Sequence, residues 1–131
     1  MTKKLQIRDQ RGQTIVEFAL VLPLLMMILL AILQFGVLFR DYLAVTDAVR
    51  SGARKAAVSR SAPSPTTACE NAVKNAAGDL NVADQLVVSC TSSWNAGEDV
   101  EVEATYPFEI DILGMVVKSG RFSSTTTERV E

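Results

Sequence analysis

An almost unbroken apolar run follows the sequence RGQTIVEF at residues 11–18 and continues to Phe39. An α-helix rises about 1.5 Å per residue, so the segment from Phe18 to Phe39 would span roughly 33 Å, close to the hydrocarbon thickness of a bilayer. One carboxylate, Glu17, lies at the start of this segment, where a charged group is costly and is usually retained for function. The stretch therefore predicts a membrane-spanning helix with a functional acid near its N-terminal end.

The leader ahead of this helix, residues 1–12, is basic. It contains four basic side chains and one acidic side chain, a local charge of +3, in a chain whose formal net charge is −2. The positive-inside tendency places such a leader in the cytoplasm, although basic side chains at residues 40–55 make the preference modest. No basic patch with interleaved aromatic residues occurs, so we expect no nucleic-acid partner.

Cys69 and Cys90 are the two cysteines of the chain, and both follow the membrane segment. They do not form a CxxC motif, and a lone pair in a small exported domain most simply forms a disulfide, which requires an oxidising compartment. Two buried free thiols are the alternative. The chain has no histidine, and two thiolates do not complete a zinc shell, so no metal site is expected.

The long helix is predicted over residues 13–58, and its two halves differ. It is apolar on all faces to about residue 39, as a lipid-buried helix must be, and Pro23 predicts a bend. Gln34, near the membrane exit, is an amide that could hydrogen-bond to another helix but is also tolerated alone. Beyond residue 39, apolar and small side chains recur at helical spacing opposite charged ones, which predicts an amphipathic continuation.

A short helix is predicted after a proline-containing loop at residues 59–67. Thr67 is the candidate N-cap, because Glu70 follows it at the spacing of a capping box. Gly78 is the candidate C-terminal stop. This helix opens a small head, which we predict to occupy residues 68–131.

The rest of the head is predicted to be three antiparallel strands, so the fold class is α+β. The strands are expected at residues 86–91, 99–106 and 122–130. Pro107 would end the second strand or place it at an edge, and residues 108–118 would form a loop packed against the long helix. Trp94, beside a turn, is predicted to be a core or interfacial anchor.

The chain resembles the TadE-like pseudopilins, minor pilin-like components of tight-adherence (Flp) pilus systems. The resemblance is carried by RGQTIVEFALVLPLL at residues 11–25, QFG at 34–36, AVRSGAR at 48–54 and TTTERVE at 125–131. The first block is the most specific. Major Flp pilins typically have Glu-Tyr where this chain has Glu17-Phe18, and this departure favours a minor pseudopilin over the main fibre subunit. The resemblance implies a pilin-like architecture, with the long helix carrying the head.

The same resemblance implies that a membrane-embedded aspartyl prepilin peptidase cuts between Gly12 and Gln13. The new amine on Gln13 would lie about one helical turn from Glu17. Between subunits, the Glu17 carboxylate of one chain could pair with the Gln13 amine of its neighbour and fix their axial register. Glu17 and Phe18 are therefore the expected assembly residues. The alternative is that Glu17 only extends to the lipid headgroups, because it lies one residue before the apolar run.

A structural, non-enzymatic function is expected, without a cofactor, because the sequence contains no phosphate-binding glycine loop, no Ser/His/Asp set and no paired-carboxylate cleft. The resemblance implies the membrane, other pilins and pseudopilins, the prepilin peptidase and the inner-membrane assembly platform as partners. It also implies a single-pass protein of the bacterial inner membrane, with a cytoplasmic N-terminus and an extracytoplasmic head, that takes part in pilus assembly and is compatible with incorporation into the pilus.

Two other functions stay open at this point. One is a secreted binding domain behind a signal peptide, but the apolar run is too long for a usual signal peptide and no clear small-x-small cleavage site follows it. The other is a single-pass, signal-anchored binding or sensing protein unrelated to pili. The mature N-terminus separates the three functions: Gln13 for the pseudopilin, a start after about residue 36 for the secreted domain, and an intact leader for the anchored sensor.

Overall fold

The computed structural model of the protein describes residues 10–78, 80, 85–112 and 114–131, and of residues 10 and 11 the backbone only. The predicted leader lies mostly outside these residues. The described elements are two helices and three strands, in the order α1 (Gln10–Ala57), α2 (Pro65–Ala76), β1 (Val87–Thr91), β2 (Asp99–Ile112) and β3 (Met115–Arg129). The predicted α+β fold is confirmed.

Helix α1 is one continuous rod of 48 residues. At 1.5 Å per residue it is about 72 Å long. It begins three residues before the predicted start and remains helical through Pro23. From Gly12 to Leu29 every side chain is exposed, and α1 is the one helix in the described part of the chain that is long and apolar enough to cross a membrane.

The second half of α1 packs inside the head and contributes to its core. Five of its side chains, which recur at the i, i+3, i+4 spacing of a helix face, are fully buried: Val45, Ala48, Val49, Ala53 and Ala56. This spacing places them on one face of the helix, so the predicted amphipathic continuation is confirmed. They form one core with the apolar faces of α2 and the sheet.

Helix α2 packs against α1 where α1 carries small residues. A Cβ atom at Gly52 would overlap the side chain of Val73, so glycine is what allows this close approach. The predicted start of α2 is wrong. Its N-cap is Ser64 and Pro65 is its first residue, a position that suits proline because its missing N–H would have no helical partner. Gly78 does follow the helix, with a positive φ of 61°.

The sheet is antiparallel with strand order β1-β2-β3. Alternation along β2 is as predicted: Val100, Val102 and Ala104 are fully buried, whereas Asp99, Glu101 and Glu103 are exposed. The turn before β2 is also confirmed, since Glu98 N–H donates to the carbonyl of Asn95 at 3.1 Å. The charged row therefore forms the outer face of the sheet.

Of the two predicted alternatives for Pro107, the strand end is wrong and the edge position is the one observed. The predicted loop at residues 108–118 is also wrong, because β2 continues through Pro107 to Ile112 and β3 begins at Met115. Pro107 is tolerated because the pairing of β2 with β1 stops at Thr105, so one edge of β2 is free of β1 there. On its other side Pro107 is in register with Arg121 of β3.

Cys69 and Cys90 form a disulfide that joins α2 to β1, with their Cα atoms 6.5 Å apart. Both residues lie in the core. At the far end of α1, the N–H of Glu131 donates to the carbonyl of Ala57 at 2.9 Å. This bond satisfies a carbonyl that the helix itself leaves without a partner. The disulfide therefore ties α2 to the sheet within the head, and the backbone hydrogen bond from Glu131 ties the end of the chain to α1.

Candidate anchoring and assembly site

The predicted processing and assembly residues lie together in the first turns of α1. The side-chain amide of Gln13 donates to Glu17 Oε1 at 3.0 Å, as helical spacing of four residues allows. The Phe18 side chain is 59% exposed. The structure thus brings Gln13 and Glu17 into direct contact on an open helix surface.

Gly12 is in the helix, and its glycine identity has no local packing cause. A Cβ atom at this position would meet no described atom within 4 Å. Gly52 is the opposite case, because Val73 occupies the space where its Cβ would be. Within the described chain, Gly12 therefore has room for a side chain, and a requirement for glycine there would have to come from outside the folded protein.

The peptide bond between Gly12 and Gln13 lies in the first turn of α1, which begins at Gln10. A peptidase that binds an extended chain would have to unwind the helix locally at this bond.

Gln34 makes a hydrogen bond between the apolar part of α1 and the head. Its side-chain amide donates to the carbonyl of Asp111, near the end of β2, at 2.7 Å. From the sequence, Gln34 is expected either to bond to another helix or to be tolerated without a partner, and Asp111 is expected in a loop. The two residues are 77 positions apart, so no local pattern could have paired them.

An aromatic groove lies beside this contact, where α1 meets the sheet. It has a volume of about 260 Å³ and is lined by Phe35, Leu38, Phe39, Tyr42, Phe108 and Phe122. The Phe122 ring centroid is 5.6 Å from that of Tyr42 in an edge-on arrangement and 6.2 Å from that of Phe108. The sequence signal for this groove was the helical spacing of Phe35, Phe39 and Tyr42, which continues the apolar run past residue 39.

These features define a class of protein: one apolar helix suited to a single membrane crossing, continued without a break into the core of a small disulfide-bonded α+β head. Residues 12–54 match the family model described as TadE-like protein. The predicted resemblance to TadE-like proteins is confirmed over this segment, which covers most of α1 and includes Gly12, Gln13, Glu17 and Phe18. The match supports association with a Tad pilus system and a membrane. No curated protein and no solved structure matches the chain.

Proposed function

We propose that the protein is a minor pilin-like subunit, a pseudopilin, that is cut by a prepilin peptidase and takes part in the assembly of a tight-adherence pilus. The observation that carries this proposal is the match of residues 12–54 to the TadE-like family, over the same helix that presents Gln13 and Glu17. The role is structural rather than enzymatic.

Anchoring in the bacterial inner membrane, with the head outside the cytoplasm, is the first part of the proposal. The basic leader favours a cytoplasmic N-terminus. The disulfide between Cys69 and Cys90 supports an oxidising location for the head, since such bridges persist outside the cytoplasm. Both signals agree on one orientation for the single apolar helix.

Processing between Gly12 and Gln13 is the second part. The bond lies three residues into the described part of α1, and Gly12 adds no side chain that would have to fit a protease cleft. Cleavage would remove the basic leader and leave a positively charged amine on Gln13, close to the side chain of Glu17.

Assembly through Glu17 is the third part. Glu17 would become the fifth residue of the mature helix, and Gln13 Nε2 contacts only its Oε1 in the described structure. A carboxylate accepts several hydrogen bonds, so the group retains capacity for a cation. In a low-dielectric bundle an unpaired carboxylate is costly, and the N-terminal amine of a neighbouring pilin or pseudopilin, Gln13 in a second copy of this chain, would supply the compensating charge. The inner-membrane assembly platform would bring such neighbours together.

The test is the N-terminal sequence of the protein purified from membranes of cells that contain or lack the prepilin peptidase. We expect Gln13 as the first residue when the peptidase is present and an intact leader when it is absent. Gly12→Leu should block the cut, whereas Gly36→Leu should not, because Gly36 is another helical glycine with nothing within 4 Å of a Cβ. Normal processing of Gly12→Leu, or an intact leader in the presence of the peptidase, would refute the proposal.

A further inference from the structure

The turn-proximal end of the β2–β3 hairpin exposes an unusual amount of apolar surface. Among the described residues outside α1, five large apolar side chains are exposed, and three of them are consecutive: Met115 at 67%, Val116 at 57% and Val117 at 64%. Neighbouring residues of a strand point to opposite faces, so both faces of the ribbon are apolar and uncovered here. A two-stranded ribbon of this kind is marginal in water.

The position of this hairpin tip, which we define as residues 110–117 other than residue 113, is fixed by Gln34. Gln34 Nε2 donates to the carbonyl of Asp111, and Asp111 is in register with Val116. Gln34 precedes Phe39, the end of the apolar run, by five residues, which is about 7.5 Å along the helix axis. The hairpin tip is therefore level with the last turns of the apolar part of α1.

The apolar surface of the hairpin tip lies at the same position along the axis of α1 as the exposed apolar surface of the helix itself. Ile32, Leu33 and Phe35, next to Gln34, are each about 60% exposed, as expected for side chains that face lipid. Side chains of amphipathic elements that rest on a bilayer are buried by roughly 5–10 Å, which is comparable with the 7.5 Å offset of the hairpin tip.

We propose that the hairpin tip inserts into the lipid bilayer beside α1, in the layer between headgroups and acyl chains, and so gives the head a second attachment to the membrane. The proposal rests on the membrane anchoring proposed above. Bilayer lipid is the partner because α1, to which the hairpin tip is bonded, is itself exposed and apolar at the same level.

The polar groups of the hairpin tip suit this location. The carboxylate of Asp111 accepts from the N–H of Gly114 at 2.8 Å, so one of its oxygens has a hydrogen-bond donor within the turn. Lys118, which follows the apolar triplet, is exposed, and its long stem allows its ammonium group to reach lipid phosphate. The amide of Gln34, costly in an apolar environment, obtains its acceptor from β2 itself.

The experiment uses the full chain reconstituted in vesicles of phosphatidylethanolamine and phosphatidylglycerol, with or without bromine on the acyl chains as a fluorescence quencher. Val116→Trp reports on the hairpin tip. Val58→Trp is the matched control, because Val58 is 58% exposed but follows the other end of α1, about 36 Å from Gln34 along the axis. Trp94, the single native tryptophan, precedes the opposite end of β2 and gives the baseline.

We expect brominated lipid to remove most of the emission added by Val116→Trp and little of that added by Val58→Trp. Met115→Trp provides a second reporter if Val116→Trp does not fold, with folding judged by the absence of free thiols. Unquenched emission at the hairpin tip would overturn the proposal, and a blue shift without quenching would indicate that a second protein copy covers it instead. Leu25→Trp must be quenched. If it is not, the membrane anchoring itself is wrong.

Discussion

The two halves of α1 belong to one unbroken helix but meet different surroundings. From Gly12 to Leu29 every side chain is exposed, whereas Val45, Val49 and Ala53 are fully buried in the head. Both halves are rich in apolar residues, so composition alone does not separate them. They differ because the second half mixes small and charged residues with the apolar ones. This mixture leaves a single apolar stripe that can pack against the head. A helix that is apolar on all faces suits a lipid environment, whereas a helix with a narrow apolar stripe suits packing against a protein core.

This comparison predicts that substitutions in the two halves have separable effects. Changes in the second half should lower the free energy of unfolding of the head. Changes between Gly12 and Leu29, where every side chain is exposed, should alter only membrane or partner interactions. Trp94 is partly buried against the core, so its emission during urea unfolding in detergent micelles measures the stability of the head.

The largest effect on head stability is expected from removal of the disulfide. The bridge spans a sequence separation of 21 residues. Loop entropy gives a loss of about 3 kcal/mol in the free energy of unfolding for the Cys69→Ala/Cys90→Ala double variant. Unfolding under non-reducing conditions checks this, and reduced wild-type protein is the control. An unchanged unfolding midpoint would show that the bridge does not stabilise the head.

A smaller effect is expected from Gly52→Ala. The added methyl group would overlap Val73, so α1 and α2 must separate slightly, at a cost of about 1–3 kcal/mol. Gly36→Ala is the matched control in the apolar half, since nothing lies within 4 Å of a Cβ there. Equal unfolding curves for the two variants would contradict the close packing of α1 on α2.

The smallest effect on the head, and the largest on assembly, is expected from Glu17→Gln. The substitution keeps the size of the side chain and removes the charge proposed to pair with a neighbour's amine. Urea unfolding should be unchanged, while co-purification with other pilins and the amount of pilus at the cell surface should fall. Glu17→Asp, which shortens the side chain, separates the requirement for reach from that for charge. Normal pilus output from the Glu17→Gln strain would leave Glu17 as a headgroup-reaching residue only.

The sequence predicted the elements whose signals are local. Helical spacing identified both halves of α1, and strict alternation identified the first part of β2. The contact of Gln13 with Glu17 also follows from helical spacing. The start of α2 was misplaced because two N-terminal signals compete, the Thr67–Glu70 spacing and the proline at position 65, and the proline is the one that the structure uses.

The end of the β2–β3 hairpin could not be predicted in the same way. Pro107, Asp111 and Gly114 are all typical of loops, yet pairing with β3 carries β2 past Pro107. That pairing depends on residues of β3, which lie beyond the turn of the hairpin. The hydrogen bond from Gln34 depends on α1, which is 77 positions from Asp111 in the sequence. The position of the hairpin tip along the axis of α1 can therefore be learned only from the folded structure.

Under the export proposed above, the order of the elements along the chain sets the order in which the head can fold. Translocation would deliver α2 and β1 first, so both cysteines would be outside before β2 had emerged, and an oxidase could reach them while the core was still open. Val130, which is almost completely buried and bonded to both Gly97 and Glu98, would arrive after all three strands. The disulfide could therefore precede the core, and the core could close on α1 only when translocation had passed residue 130.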